Sequence, residues 1–264
     1  MKKILVITAT LGNRESLKRT IDSVKEIGKE DVFHVIVCPE DKIPSIKQEY
    51  GNIDCTAEPT EKMGIYAALN HGFQIYGKEF DYLTFINDDD YWLPDFRILI
   101  DKIKEGKSDL VYGKTRYVDS HGKTIGRQAS SGNFKSFVPL LYHNIILLTQ
   151  QATIIKSDWY FKLQGFDESY RLVADTKFWA KLSLEKIKYR YFNLECAAYM
   201  IQEGQLSSDH HVQNTEHQRL LKELPPISSY NKEIAKARFR ITNLNVYIKR
   251  LFSHKSIRNP FRGG

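Results

Sequence analysis

The chain opens on a run of apolar, mostly β-branched residues, Ile4–Thr8, with no polar alternation, which reads as a strand buried on both faces. Behind it Leu17, Ile21, Val24 and Ile27 recur at spacings of three and four. That period predicts a helix over residues 14–27, with Asn13 as its N-cap and Gly28 as its stop. The alternation then repeats. Val32–Cys38 and residues 53–57 predict two further strands separated by a polar stretch with Pro44, Gly64–Tyr76 a helix, and Phe80–Ile86 a fourth strand. Pro94 stands where proline is tolerated, at the opening of a helix over residues 95–104. Short apolar strands alternating with amphipathic helices are the pattern of β-α-β units around a mostly parallel sheet.

Beyond Asp109 the pattern changes. Leu110–Val118 and residues 124–128 flank the turn-rich Asp119-Ser120-His121-Gly122-Lys123, which predicts a hairpin added antiparallel to the sheet. A strand over 152–155, a helix over 158–163, a helix over 176–184 and a pair of strands between Lys188 and Ile201 follow. Pro225-Pro226 marks a boundary. After it Ile234, Ala237, Ile241, Leu244, Ile248 and Leu251 keep the a/d spacing of one amphipathic helix. The expected organisation is a domain over residues 1–225, divided into 1–112 and 113–225, followed by a helical extension over 226–264.

With 264 residues and 42% hydrophobic content the chain is long enough to bury a substantial core. Its net charge of +7 is unevenly placed. From Lys232 onward nine Lys/Arg face one acid, Glu233, a net +8 that leaves −1 on the preceding 231 residues. The basic character thus belongs to the C-terminal extension, and no nucleic-acid partner is expected for the domain. Cys38, Cys55 and Cys196 are odd in number, widely spaced and form no C-x-x-C pair, so neither a disulfide framework nor a zinc site is suggested, which fits a reducing cytoplasm. No stretch reaches the ~20 apolar residues of a membrane span, and Ile4–Ile7 falls short of the roughly 7–15 apolar residues of a secretory signal.

The densest chemistry lies at Asn87-Asp88-Asp89-Asp90-Tyr91-Trp92, immediately after an apolar strand and before a helix. In an open α/β sheet that is the C-terminal strand edge, where ligands bind. Three adjacent carboxylates repel one another, and such oxygen-rich groups are natural hosts for hard divalent cations. An isolated triplet also reads as a solvated acidic turn ahead of a helix. An EF-hand is excluded, because its glycine and twelfth-position glutamate are missing.

The surrounding motifs are specific. Gly64-Ile65-Tyr66-Ala67-Ala68-Leu69-Asn70-His71-Gly72 lies upstream of the carboxylates, and Gly165-Phe166-Asp167-Glu168-Ser169-Tyr170 followed by Ala174-Asp175-Thr176-Lys177-Phe178-Trp179 lies downstream. On these segments, and on Ile7–Arg14, residues 3–210 resemble the family 2 glycosyltransferases of the GT-A fold. The resemblance implies an α/β fold, a Rossmann-like mixed sheet flanked by helices. It implies a hexosyltransferase-like enzyme that moves a sugar, with inversion, from a nucleoside diphosphate sugar, UDP-linked by preference, to a hydroxyl of a saccharide or lipid-linked acceptor in bacterial polysaccharide, capsule or lipopolysaccharide assembly.

Carried over residue by residue, it assigns donor binding to Thr8, Ala9, Thr10, Asn13, Arg14, Glu40, Asp41, Gly64, Ile65, Asn70, Asp88 and Asp89. It assigns manganese or magnesium to Asp90 as direct ligand with Asp88, His210 as a further ligand, and the catalytic base to Asp175. A hydroxyl is a weak nucleophile, and a carboxylate within hydrogen-bond reach accepts its proton as the new bond forms. Ala67 and Lys177 stand where the family pattern commonly has Asp. Glu203–His211 resembles a loop that closes over the donor, and Arg127, Arg171 and Lys177 are candidate pyrophosphate or acceptor contacts. The C-terminal helix is expected to pack on its own domain, lie on an anionic membrane at the inner face of the cell membrane, or pair with a second copy in a homodimer. Two other readings stay open: a sugar-nucleotide nucleotidyltransferase, disfavoured by the single glycine in residues 8–14, and a non-catalytic nucleotide-sugar-binding scaffold.

Overall fold

Nine strands form one mixed sheet in the computed structural model, which describes residues 4–51, 53–61, 64–201 and 209–252. Strand β1 (Ile4–Ala9) runs parallel to β2 (Val32–Cys38) on one side and to β4 (Tyr82–Phe85) on the other, and β3 (Asp54–Ala57) extends the parallel part beyond β2. The connecting helices are α1 (Ser16–Gly28), α2 (Ile43–Tyr50) and α3 (Ile65–Tyr76). The chain thus leaves β1 in one direction for β2 and β3 and returns on its other side at β4. That reversal opens a crevice beside the C-terminal ends of β1 and β4, the general place for a ligand in such sheets.

The period-2 pattern of a strand explains how β1 serves two cores at once. Ile4 and Val6 pack with Val24, Phe96 and Ile100 on the α1 side, whereas Leu5 and Ile7 pack with Leu69 and Phe73 of α3 on the other. Helix α3 comes unusually close, because a Cβ at Gly72 would lie 2.9 Å from Val37 Cγ2 and 3.1 Å from Ile7 Cδ1. Close packing there sets the distance between the start of α3 and the strand ends.

The second half completes the sheet in mixed order. After the two-residue β5 (Tyr91–Trp92) and α4 (Phe96–Lys104), β6 (Leu110–Val118) pairs antiparallel with β7 (Thr124–Arg127), so the predicted hairpin forms. Helix α5 (Phe137–Leu141) precedes β8 (Thr153–Lys156), which lies antiparallel between β4 and β6. Helices α6 (Ser157–Lys162) and α7 (Ala174–Leu184) then lead to β9 (Tyr189–Met200). It is one twelve-residue strand, parallel to β6, where two short strands were expected. Within it the register shifts around Gly113, where Tyr112 pairs with Tyr191 and Lys114 with Glu195.

Other expectations shift for local reasons. The polar stretch with Pro44 is helix α2, with the proline in its first turn. Helix α1 begins after Glu15, with no side-chain cap from Asn13, and runs through Gly28 at φ −73°, leaving Lys29 at positive φ. Strand β5 is too short for a sequence period to reveal.

The C-terminal part comprises α8 (His210–Glu223), α9 (Ser229–Thr242) and α10 (Leu244–Phe252), with Pro225-Pro226 between α8 and α9. The helix expected as one after Pro226 breaks at Asn243, which is buried. Its amide nitrogen donates to Phe239 O and its oxygen accepts Ser130 N–H. The face turned to the domain carries Ala235, Phe239 and Asn243, so the expected apolar stripe points outward: Ile241, Leu244 and Ile248 are 74%, 57% and 43% exposed. Among the described residues no helix is long and apolar enough to cross a membrane.

The bulge makes a sharp test. A Cβ at Gly113 would lie 2.4 Å from Cys196 Sγ and 3.1 Å from Leu194 O, inside the sheet. Gly113→Ala is expected to cost about 1–3 kcal/mol through overpacking, read by chemical denaturation as a lower midpoint with an unchanged slope.

Candidate active site

Two chain segments meet at the crevice beside β1 and β4. Thr10, just past β1, donates its hydroxyl to Asp88 Oδ2 at 2.6 Å, and its own oxygen accepts the Gly12 N–H at 3.0 Å. Arg14 places Nη1 2.7 Å from Asp89 Oδ2 and Nε 3.4 Å from Asp88 Oδ1. Arg14, Asp88 and Asp89 all line one cavity. Burial raises the pKa of Asp88, opposed by the Thr10 hydrogen bond and the Arg14 charge.

Asp90 is placed differently. It is 0% exposed and does not line the cavity. Its Oδ2 accepts from Gln151 Nε2 at 2.6 Å and from Asn87 Nδ2 at 3.2 Å, and its Oδ1 accepts from Met200 N at 3.0 Å. Burial and the adjacent Asp89 raise its pKa well above the ordinary carboxylate value, against those three donors. The expectation that Asp90 is the direct metal ligand does not fit this placement, since its oxygens face protein donors. Asp88 and Asp89 face the cavity instead.

Helix α7 brings Asp175, in its first turn, to the same cavity. Oδ1 accepts from the Thr176 N–H at 2.7 Å and from the Tyr66 hydroxyl at 3.0 Å. Among the described residues Oδ2 accepts no hydrogen bond. Burial raises the Asp175 pKa, and the bonds from Thr176 and Tyr66 partly offset that. The Tyr66 phenol is buried beside this carboxylate, which pushes its pKa well up and keeps it a donor. It also reaches Leu172 O at 3.0 Å. A half-buried carboxylate with one oxygen hydrogen-bonded and the other without a partner among the described residues, at the edge of a cavity, is suited to accept a proton.

With the fold and this geometry in hand, comparison with known proteins is decisive. Residues 5–163 match the profile of Glycosyl transferase family 2. The chain belongs to that family. The glycosyltransferase also shares its fold with S. aureus TarS 1–349 in complex with UDP-GlcNAc, at 18% identity over 96% of this chain and 75% of that one, TM-score 0.65. A second similar structure is the mannosyltransferase PcManGT from Pyrobaculum calidifontis in complex with GDP-Man and Mn2+, at 14% identity over 95% and 75%, TM-score 0.59. No curated protein sequence matches the chain.

The transferase gathers only part of the residues expected at its donor site. Arg14, Ile65, Asp88, Asp89 and Asp175 line the cavity. Thr8 is buried against His34 at 3.0 Å, whose pKa burial lowers to about 3 so that the ring is neutral. Ala9 belongs to the core, and Asn13 and Gly64 are exposed outside the cavity lining. Glu40 and Asp41 sit on an exposed turn after β2, also outside the lining.

Asn70 is buried and spends its whole amide on the Phe166–Glu168 segment and on Tyr160 of α6. Its nitrogen donates to Phe166 O and Glu168 Oε1, and its oxygen accepts from Phe166 N and the Tyr160 hydroxyl. It ties α3 to the segment leading to Asp175 and leaves nothing for a donor. His210 is exposed at the start of α8 and is not in the cavity lining. Lys177 is held by Asp167 and Glu223, and Arg127 by Glu195, so neither of these candidate cations is in the lining, whereas Arg171 is. The loop expected to close over the donor falls largely at 202–208, outside the described residues.

Other lining residues had not been singled out. Gln213, Asn214 and His217 of α8 form one wall, at helical spacing in a polar helix that carries no motif. His217 bonds Leu141 O through Nε2 at 3.0 Å, and burial lowers its pKa, so the neutral ring keeps Nδ1 as an acceptor. Tyr66 was visible in the Gly64–Gly72 motif, but its partnership with Asp175 spans 109 positions.

The raised Asp175 pKa has a direct consequence. A carboxylate accepts a proton only when ionised, and burial favours the protonated form, so with Asp175 as the base the acid limb of the kcat profile is expected above the ordinary aspartate value of about 3.9. Tyr66→Phe removes a bond that favours the ionised form and is expected to move that limb to still higher pH, with a several-fold lower rate near neutrality. A pH–rate profile of both proteins checks the direction.

Proposed function

We propose that this glycosyltransferase moves a sugar from a nucleoside diphosphate donor to a hydroxyl of a saccharide or lipid-linked acceptor in one inverting, divalent-cation-dependent step. The observation that carries the reading is a single cavity lined by Asp88, Asp89 and Asp175, with one oxygen of Asp175 held by Thr176 and Tyr66. UDP or GDP sugars are the donor class, as in the two similar structures, and UDP is favoured.

The residues present fit a divalent ion. The wall beside β4 is rich in oxygen: two carboxylates line the cavity, and among the described residues the buried Asn87 Oδ1 and Gln151 Oε1 have no hydrogen-bond partner. Magnesium and manganese favour such ligands. Among the described residues no cluster of three or more metal-binding side chains exists. The two carboxylates lining the cavity are the ligand number of an ion completed by substrate phosphates. Asp88 and Asp89 would hold it, and when bound it supplies neutralisation of charge on the departing diphosphate.

The chain's own groups do the rest. Arg14 keeps a cation at the same wall, available to phosphate oxygens as well as to the carboxylates it now pairs. Asp175 Oδ2 takes the proton of the acceptor hydroxyl as the C–O bond forms, while the Thr176 N–H and Tyr66 hydroxyl hold Oδ1 and orient the group. Asp175→Asn is expected to reduce transfer at least 100-fold while donor-induced stabilisation stays near wild type. Thermal shifts with UDP, GDP and their sugars, with and without Mn2+, give the second measurement. A metal-dependent rise that Asp88→Asn and Asp89→Asn abolish supports the donor site, and no response to any nucleotide favours the scaffold reading.

A lipid-bound acceptor is supported by the outer face of α9 and α10, where exposed Ile241, Leu244 and Ile248 lie near exposed Arg238 and Arg240. Apolar side chains flanked by cations suit an anionic bilayer. Replacing Ile241 and Leu244 together by Glu is expected to lower cosedimentation with vesicles containing phosphatidylglycerol. Unchanged binding removes this surface from consideration.

A further inference from the structure

Asp175 follows a loop whose backbone is held by a residue outside the cavity. Glu216, on α8, accepts three consecutive backbone N–H groups through its carboxylate: Arg171 at 2.6 Å, Leu172 at 2.8 Å and Val173 at 3.2 Å. Unpaired amides are costly to leave buried, and bonds to an ionised acceptor are stronger than neutral ones. The carbonyl of the middle residue, Leu172, and Asp175 Oδ1 each lie 3.0 Å from the Tyr66 hydroxyl, whose one proton they share. One continuous set of contacts therefore runs from Glu216 through the peptide groups of 171–173 and the Tyr66 hydroxyl to the base.

The rest of α8 reinforces that contact. Arg219 bonds the Ser169 carbonyl and hydroxyl at 3.2 and 2.9 Å, and Glu223 accepts from the Tyr170 hydroxyl at 2.7 Å and from Lys177. Positions 216, 219 and 223 share one face of the helix by their spacing of three and four. Neighbouring Gln213 and His217 line the cavity. Helix α8 thus meets both the cavity and the loop, and the charge of Glu216 sits by the N-terminal end of α7, where a negative group is favourable.

We propose that Glu216 is a positioning residue for the reaction: it fixes the 171–173 backbone so that Asp175, through Tyr66, holds its open oxygen toward the acceptor hydroxyl. The proposal rests on Asp175 being the base. A displacement of about 1 Å at a reacting group can cost about 100-fold in rate. Glu216→Gln keeps the shape but replaces one accepting oxygen by a donor that opposes an N–H.

Two readouts on the full chain test this. The first is amide hydrogen exchange: in Glu216→Gln the amides of Arg171, Leu172 and Val173 are expected to exchange at least tenfold faster, with α3 unchanged. Unaltered exchange at those three amides overturns the clamp, whatever the activity. The second is turnover of UDP-N-acetylglucosamine and GDP-mannose with Mn2+, followed as release of the nucleotide to water or a sugar acceptor. Glu216→Gln is expected to lower kcat tenfold or more with donor KM within twofold, and Glu216→Asp, which keeps the charge, to recover part of the loss. A loss carried by KM, or kcat within twofold of wild type, overturns the positioning role. Asp175→Asn assayed in parallel separates the two readings: wild-type turnover there removes the base assignment itself, whereas an inactive Asp175→Asn beside a fully active Glu216→Gln removes only the role of Glu216.

Discussion

The buried carboxylate of Asp90 is the constraint on which the site depends. Three acidic side chains in succession cannot all face one cavity without strong mutual repulsion, and the fold resolves this by turning one inward. That one joins the turn after β4, the segment before β8 through Gln151, and the end of β9 through Met200 N–H. Strand β5 continues the same turn, with Tyr91 and Trp92 paired to Ala198 and Ala197 of β9. Trp92 stacks on Phe96 at 3.8 Å. Because the turn is fastened on both sides, Asp88 and Asp89 are presented to the cavity as a fixed pair, and their approach to Thr10 and Arg14 follows.

The Asp175 side of the site is built by hydrophobic packing with a polar clip inside it. Phe166 lies among Tyr66, Phe85, Tyr160 and Phe178, with ring centroids 5.3 to 5.5 Å apart in tilted or edge contacts. Aromatic pairs of this kind add to the area they bury. Three hydrogen bonds of Asn70 to Phe166 and Glu168, with a fourth from Tyr160, fix the register of that segment, which apolar contacts alone do not. A motif residue that resembles a donor contact by its place in the sequence is thus used to set the loop that delivers Asp175.

Much of the fold was legible because it follows from local periodicity. The unbroken apolar runs of β1 and β2, the three-four spacing of α1 and the hairpin around Gly122 are short-range patterns, and each element appears. What failed did so where a distant partner intervened. The outer stripe Ile241, Leu244 and Ile248 has the right spacing for a packed face, yet Phe239 and Asn243 are the residues that meet the domain. Periodicity shows that a helix is amphipathic and says nothing of a second, narrower face chosen by shape and hydrogen bonding.

The sequence by itself determined the α/β class, the strands β1 to β4 with helices α1, α3 and α4 among them, the family, and the pairing of a carboxylate run with Asp175 as the chemistry to look for. Those are properties of neighbouring residues and fixed spacings. Only the tertiary structure decided which of three adjacent aspartates faces protein and which face the cavity, that Thr8 and Asn70 are structural, and that α8 forms a wall. The reason is physical: whether a side chain meets solvent or a donor depends on what lies across from it, and the partners of Asp90 and Asp175 come from as far as 110 positions away.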